Sequence, residues 1–123
     1  YIQLPSYNCA CGTLGVDESL SHMFLSCPFA QACWLKINIT FVETDPFLAL
    51  EEIKAQLSLP FFMDIIILFC WSIWMQRNDL IFKGIQPTPA ACFQHFKNEF
   101  VLAILKAKVR HKTTMLEWQE ALV

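Results

Sequence analysis

The stretch from Phe61 to Phe82 constrains this chain more than any other, because it is almost wholly apolar and is fenced at both ends. Ser58 and Pro60 stand before it, and Lys83-Gly84 closes it with a basic last turn and a glycine suited to the left-handed cap position. Such a run is either the middle of a helical core or a membrane anchor. Asp64 interrupts its start, the charge-free run from Ile65 to Met75 falls short of the roughly 18 residues a span requires, and Gln76, Arg77, Asn78 and Asp79 follow. The expectation is a buried central helix with no membrane contact.

Trp71, Trp74, Arg77 and Asn78 recur along one side of that helix, at i, i+3, i+6 and i+7. Aromatic faces combined with arginine suit stacking and phosphate contact along a nucleic-acid strand. The other reading packs the rings in the core and lets Arg77 and Asn78 bond a neighbouring loop. Aromatics at helical spacing are core more often than not, so the packed arrangement is expected.

The rest of the chain also reads as helix. Pro28 suits the first turn of a helix whose apolar face holds Phe29, Ala30, Cys33, Trp34 and Ile37. Asp45-Pro46 is a cap followed by an N1 proline; the helix it starts turns Phe47, Leu50, Ile53 and Leu57 inward and Glu51, Glu52 and Lys54 outward. Thr88-Pro89 repeats the device for a stripe of Phe93, Phe96, Phe100, Ile104 and Leu105, running to about Val109. Thr113 or Thr114 then caps a short last helix with Met115, Leu116 and Trp118. Ile37 to Val42 is β-branched, but too short and isolated to predict a sheet. Tyr1 to Ser6 reads as extended, and Tyr7 to Gly15 as a turn in which Gly12 and Gly15 permit positive φ. Asp17 and Glu18 mark the start of a short helix carrying Leu20, Met23 and Phe24. The fold class is mainly α, a small helical domain with an N-terminal zinc-knuckle-like turn. Residues 1–40 form the knuckle-like segment and 41–123 a helical connector, within one continuous domain.

At 123 residues the chain is long enough to bury a core. Hydrophobic residues make up 55% and charged ones only 16%, which is apolar enough that some of the surface is expected to face a partner. Of the six cysteines, Cys70 and Cys92 lie in apolar helical patterns, where thiols pack as small hydrophobes. A reducing, intracellular setting, nuclear or cytoplasmic, follows as the expectation, and no signal peptide is expected. The net charge of −2 supplies no global field for nucleic acid, so contact with RNA or DNA would rest on a local patch. Lys106, Lys108, Arg110, His111 and Lys112 form the basic cluster available for it, with a solvated helix end as the plainer reading.

Metal chemistry points to the N-terminal part. Cys9 and Cys11 precede a polar turn, and His22 and Cys27 follow it; four such ligands close a tetrahedron around zinc and leave no position open for reaction. His22 and Cys27, five residues apart, would stand about 140° apart on a continuous helix. Sharing a metal requires the helix to unwind before Cys27, and Pro28 favours that by pushing its predecessor out of the helical region. The alternative is that the cysteines are ordinary thiols. Cys33, beside Trp34, reads as core rather than ligand. His95 and His111 show no cysteine or carboxylate partner in sequence and are not expected to be ligands.

The order of a cysteine pair, an acidic residue near Glu18, His22-Met23-Phe24, Cys27-Pro28-Phe29-Ala30 and Trp34 resembles the zinc-binding domain beside reverse transcriptase in plant non-LTR retrotransposons. Trp71-Ser72-Ile73-Trp74-Met75-Gln76-Arg77-Asn78 with Phe82 is similar to the W-x-x-W-x-x-R-N-x-x-x-F helix of that family. The two blocks span most of the chain. This sequence departs from the family's C-x-x-C pair, since Gly12 stands where the second cysteine would fall and Cys11 precedes it. The resemblance implies Zn2+ bound by Cys9, Cys11, His22 and Cys27, and a supporting role in handling an RNA or DNA template. It also implies neighbouring reverse transcriptase or ribonuclease H domains. Lys106, Lys108, Arg110 and Lys112 are the candidate nucleic-acid residues. A contrasting reading is a metal-free helical interaction module from a decayed or domesticated retroelement.

No enzyme activity is expected. The chain has no phosphate-cradling glycine loop, no G-x-S-x-G and no H-E-x-x-H, and its acidic residues are not spaced like the metal-holding aspartates of polymerases.

Overall fold

Prolines open three of the helices, each at a position where its missing N–H costs nothing and its fixed φ is already helical. In the computed structural model, which describes residues 24, 25, 27–40 and 45–122, these are α1 (Pro28–Leu35), α2 (Pro46–Leu57) and α4 (Pro89–Lys106). Between them lies α3 (Phe62–Lys83), and α5 (Val109–Glu120) follows. The protein is mainly α, with no strand among the described residues.

Capping follows the local sequence closely. Asp45 Oδ1 accepts from the backbone N–H of Phe47 at 2.9 Å and of Leu48 at 3.2 Å, and Thr88 Oγ1 accepts from Ala91 N–H at 3.1 Å. α3 ends at Gly84, φ 67°, whose N–H bonds Leu80 O. α2 ends instead on Ser58, a non-glycine residue at φ 49°, whose hydroxyl donates to Ala55 O at 2.8 Å.

The core is built around α3 and α4. Partners run in opposite directions along the two helices, Phe61 with Phe100, Phe69 with Phe96 and Ser72 with His95, so the pair is antiparallel. α1 packs against both, α2 against α3, and α5 against α4. A relay of rings joins the layers. Trp34 of α1 lies 4.5 Å from Phe69, Phe69 meets Phe96 edge-on at 5.2 Å, Phe96 stacks on Phe100 at 5.5 Å, and Trp118 of α5 closes on Phe100 at 5.2 Å. Each such pair adds about 0.5–1.5 kcal/mol beyond the area it buries.

The last two helices depart from expectation. The pattern predicts one helix to about Val109 and a fresh start at Thr113 or Thr114, but the break falls at Ala107, ψ 159°, and α5 begins at Val109 with Lys108 as its N-cap. No glycine or proline marks the break. α5 also carries charge against its own dipole, with Arg110 and Lys112 near its N-terminus and Glu117 and Glu120 near its C-terminus. Tertiary packing of Met115 and Trp118 holds it, together with Gln119 Nε2 donating to Lys97 O at 3.3 Å.

Candidate functional site

The proline after Cys27 shapes the one sequence-derived zinc ligand that lies among the described residues. Cys27 has φ −58° and ψ 134°, outside the helical region, and forms the N-cap of α1 with Pro28 in the first turn. The thiol is buried, 2% exposed, within the apolar core cluster. Behind it, Trp34 Nε1 donates to Phe24 O at 2.8 Å and ties the preceding turn to α1. Cys9, Cys11 and His22 lie outside the described residues. Among the described residues no group of three or more metal-binding side chains occurs. Cys33 is fully buried beside Trp34 in the core, as its sequence position suggested.

The basic residues gather at one corner. Lys106 is the last residue of α4, Lys108 the N-cap of α5, and Arg110 and Lys112 follow in its first turns. Lys106, Lys108 and Arg110 are exposed and Lys112 is half-buried. Arg110 Nε donates to His111 Nε2 at 3.3 Å, and no acidic side chain stands in the first turn of α5 to offset the charge.

The Trp71, Trp74, Arg77 and Asn78 group is not where the packed reading put it. Trp71 is 46% exposed and neither tryptophan belongs to the core; the rings stack on each other, centroids 5.1 Å apart and 25° between planes, on the outer side of α3. Arg77 Nη1 donates to Asn78 Oδ1 at 3.4 Å. The inner side of α3 instead carries Ser72 and Gln76, both buried. Phe47 of α2, expected inside, is 78% exposed, and Ala49 takes its place facing the core. Leu105 likewise points outward from α4.

Sequence reading missed one polar cluster. Ser72 Oγ donates to Leu68 O at 2.9 Å and lies 2.8 Å from His95 Nδ1; His95 Nε2 lies 3.8 Å from Glu99 Oε1. The carboxylate that His95 was expected to lack stands one helical turn away, at the i+4 spacing that brings side chains together. The order of serine, histidine and acid copies that of a hydrolase triad, but Ser72 is 0% exposed and no substrate atom can reach its oxygen. The cluster is a structural bridge between α3 and α4.

Cys70 borders a groove of about 440 Å³ between α2 and α3, with Phe24, Leu50, Ile66 and Ile67. Burial, with the Cys92 thiol adding to it, pushes the Cys70 thiol up to about 12 from 9.0. It stays protonated near neutral pH and is no nucleophile.

No protein-family model, curated protein or solved structure matches this chain.

Proposed function

We propose that this chain is a non-catalytic, zinc-binding segment of a retroelement-derived reverse transcriptase polyprotein that supports the handling of an RNA or DNA template. Cys9, Cys11, His22 and Cys27 are the ligands, and reverse transcriptase or ribonuclease H domains are its neighbours. The observation that carries the reading is the backbone of Cys27. It stands outside the helical region immediately before Pro28 and places Cys27 at the N-cap of α1. Bound zinc would cross-link the N-terminal segment to the α1 end of the core and add its binding energy to folding. The exposed lysines and arginine at the α4–α5 corner supply the template contact.

Zinc content of the purified chain, with circular dichroism before and after chelation, tests this reading. One equivalent of zinc is expected, lost in both Cys27→Ser and His22→Ala. Absence of zinc with an unchanged spectrum on chelation rejects it. Template contact predicts affinity that falls steeply with salt, and a shallower salt slope once Lys106, Lys108, Arg110 and Lys112 are neutralised.

A second reading, a metal-free helical interaction module, draws on a different observation. The outer side of α3 keeps Trp71 and Ile67 exposed, and α2 exposes Phe47 further still.

A further inference from the structure

The start of α5 is held by little of its own. Its N-cap, Lys108, makes no side-chain cap bond, Arg110 and Lys112 oppose the helix dipole, and Ala107 and Lys108 are already extended, at ψ 159° and 144°. The first buried residue of the helix is Met115. Residues 109–114 can therefore unwind into an extended segment without drawing a core side chain into water, the kind of local opening that costs least. Two exposed hydroxyls, on Thr113 and Thr114, stand within that segment. Thr113 has Lys112 immediately before it and Arg110 three residues before it. We propose that Thr113 is a phosphorylation site for an arginine-directed serine/threonine kinase, and that its phosphate releases nucleic acid from the basic corner between α4 and α5.

A kinase of that class selects by charge, with an acidic cleft that reads basic residues ahead of the acceptor. The described hydroxyls differ sharply by that measure. Ser72 is buried, Ser58 and Thr88 use their oxygens at helix ends, Thr40 has no arginine before it, and Thr114 has His111 where Thr113 has Arg110. In the transfer, Thr113 Oγ1 attacks the γ-phosphorus of ATP and the bond from that phosphorus to the β–γ bridging oxygen breaks. ADP leaves with the electron pair, and the hydroxyl proton passes to the base of the kinase. The new group carries about −1.5 to −2 charges at neutral pH and stands in the first turns of α5, where negative charge suits the dipole. Arg110, three residues back, is its partner once the helix re-forms, and Glu117, four residues on, repels it toward that side. Lys106, Lys108, Arg110 and Lys112 then keep only about half of their joint positive charge. Each lost phosphate contact lowers the salt exponent by about 0.9, so the loss of about two weakens binding near about 0.1 M salt by about fiftyfold. The release rests on the template contact proposed above; the acceptor site does not.

Incubation of the full chain with ATP and the catalytic domain of an arginine-directed kinase, followed by intact-mass and fragment mass spectrometry, tests the site. A single phosphate on Thr113 is expected. Thr113→Val should abolish it, Thr114→Val should leave it in place, and Arg110→Gln should lower kcat/KM for the kinase at least about tenfold. No incorporation, or a phosphate carried by another residue, overturns the proposal. Fluorescence anisotropy with a duplex DNA oligonucleotide, before and after phosphorylation, tests the release. A loss of affinity of about fiftyfold near about 0.1 M salt is expected. Equal affinity with and without the phosphate overturns the release while the template contact stands. A chain that binds in neither state overturns the template contact, and the release with it.

Discussion

The two sides of α3 use nearly the same apolar vocabulary to opposite ends. The inner side, Ile65, Phe69, Ser72, Ile73 and Gln76, is buried against α1 and α4, while the outer side, Met63, Ile67, Trp71 and Phe82, stands in solvent. Hydrophobicity does not tell them apart. The inner side holds the helix's buried polar groups and the outer side holds its tryptophans, the reverse of a simple ranking by residue type. What separates them is complementarity. Phe69 fits between Trp34 and Phe96, and Ser72 finds His95, whereas Trp71 and Trp74 stack on each other outside the core.

The largest test of that contrast is a pair of truncations, measured by denaturant unfolding at a concentration where the chain is monomeric. Phe69→Ala should cost about 3–5 kcal/mol, because it removes the ring that joins α1 to α4 and leaves a cavity. Trp71→Ala should cost far less, about 0.5–1.5 kcal/mol, the loss of its stacking on Trp74. Comparable losses at the two sites would abolish the distinction between the faces.

Cys70 sits at the border of the two sides and reports on it through pH. Its thiol is raised in the folded state, so above pH 9 the unfolded chain gives up a proton that the folded chain keeps. Stability should therefore be fully present below pH 9 and decline toward pH 12. Cys70→Ala should remove that part of the decline, which a pH series of unfolding midpoints would read.

Ser72→Ala is expected to be smaller, costing about 1–3 kcal/mol, because it leaves His95 Nδ1 without the serine oxygen across the α3–α4 seam. A neutral result would mean that the inner side is held by packing alone. Smallest of all, Met63→Gln on the outer side should shift the unfolding midpoint of the monomer hardly at all, within about 0.5 kcal/mol.

The sites divide along similar lines. The turn at Cys27 was readable because proline acts on its immediate predecessor, and the caps at Asp45, Thr88 and Gly84 were readable for the same local reason. The Ser72–His95–Glu99 cluster left only its i+4 half in the sequence; the serine comes from another helix. Phe47 was assigned inward on spacing, but spacing fixes which residues share a face and not which way the face looks, so Ala49 lies in the core in its stead.

By itself the sequence determined where α1 to α4 begin, where α3 stops, and that the protein is mainly α. Those outcomes depend on backbone groups and side chains within one or two turns of each other. The tertiary structure decided the remainder. It ended α4 at Ala107 without any local signal, because folding α5 back lets Trp118 reach Phe61, Phe96 and Phe100. It also chose which apolar side of α3 to bury, since that choice depends on shapes brought together from helices far apart in the chain.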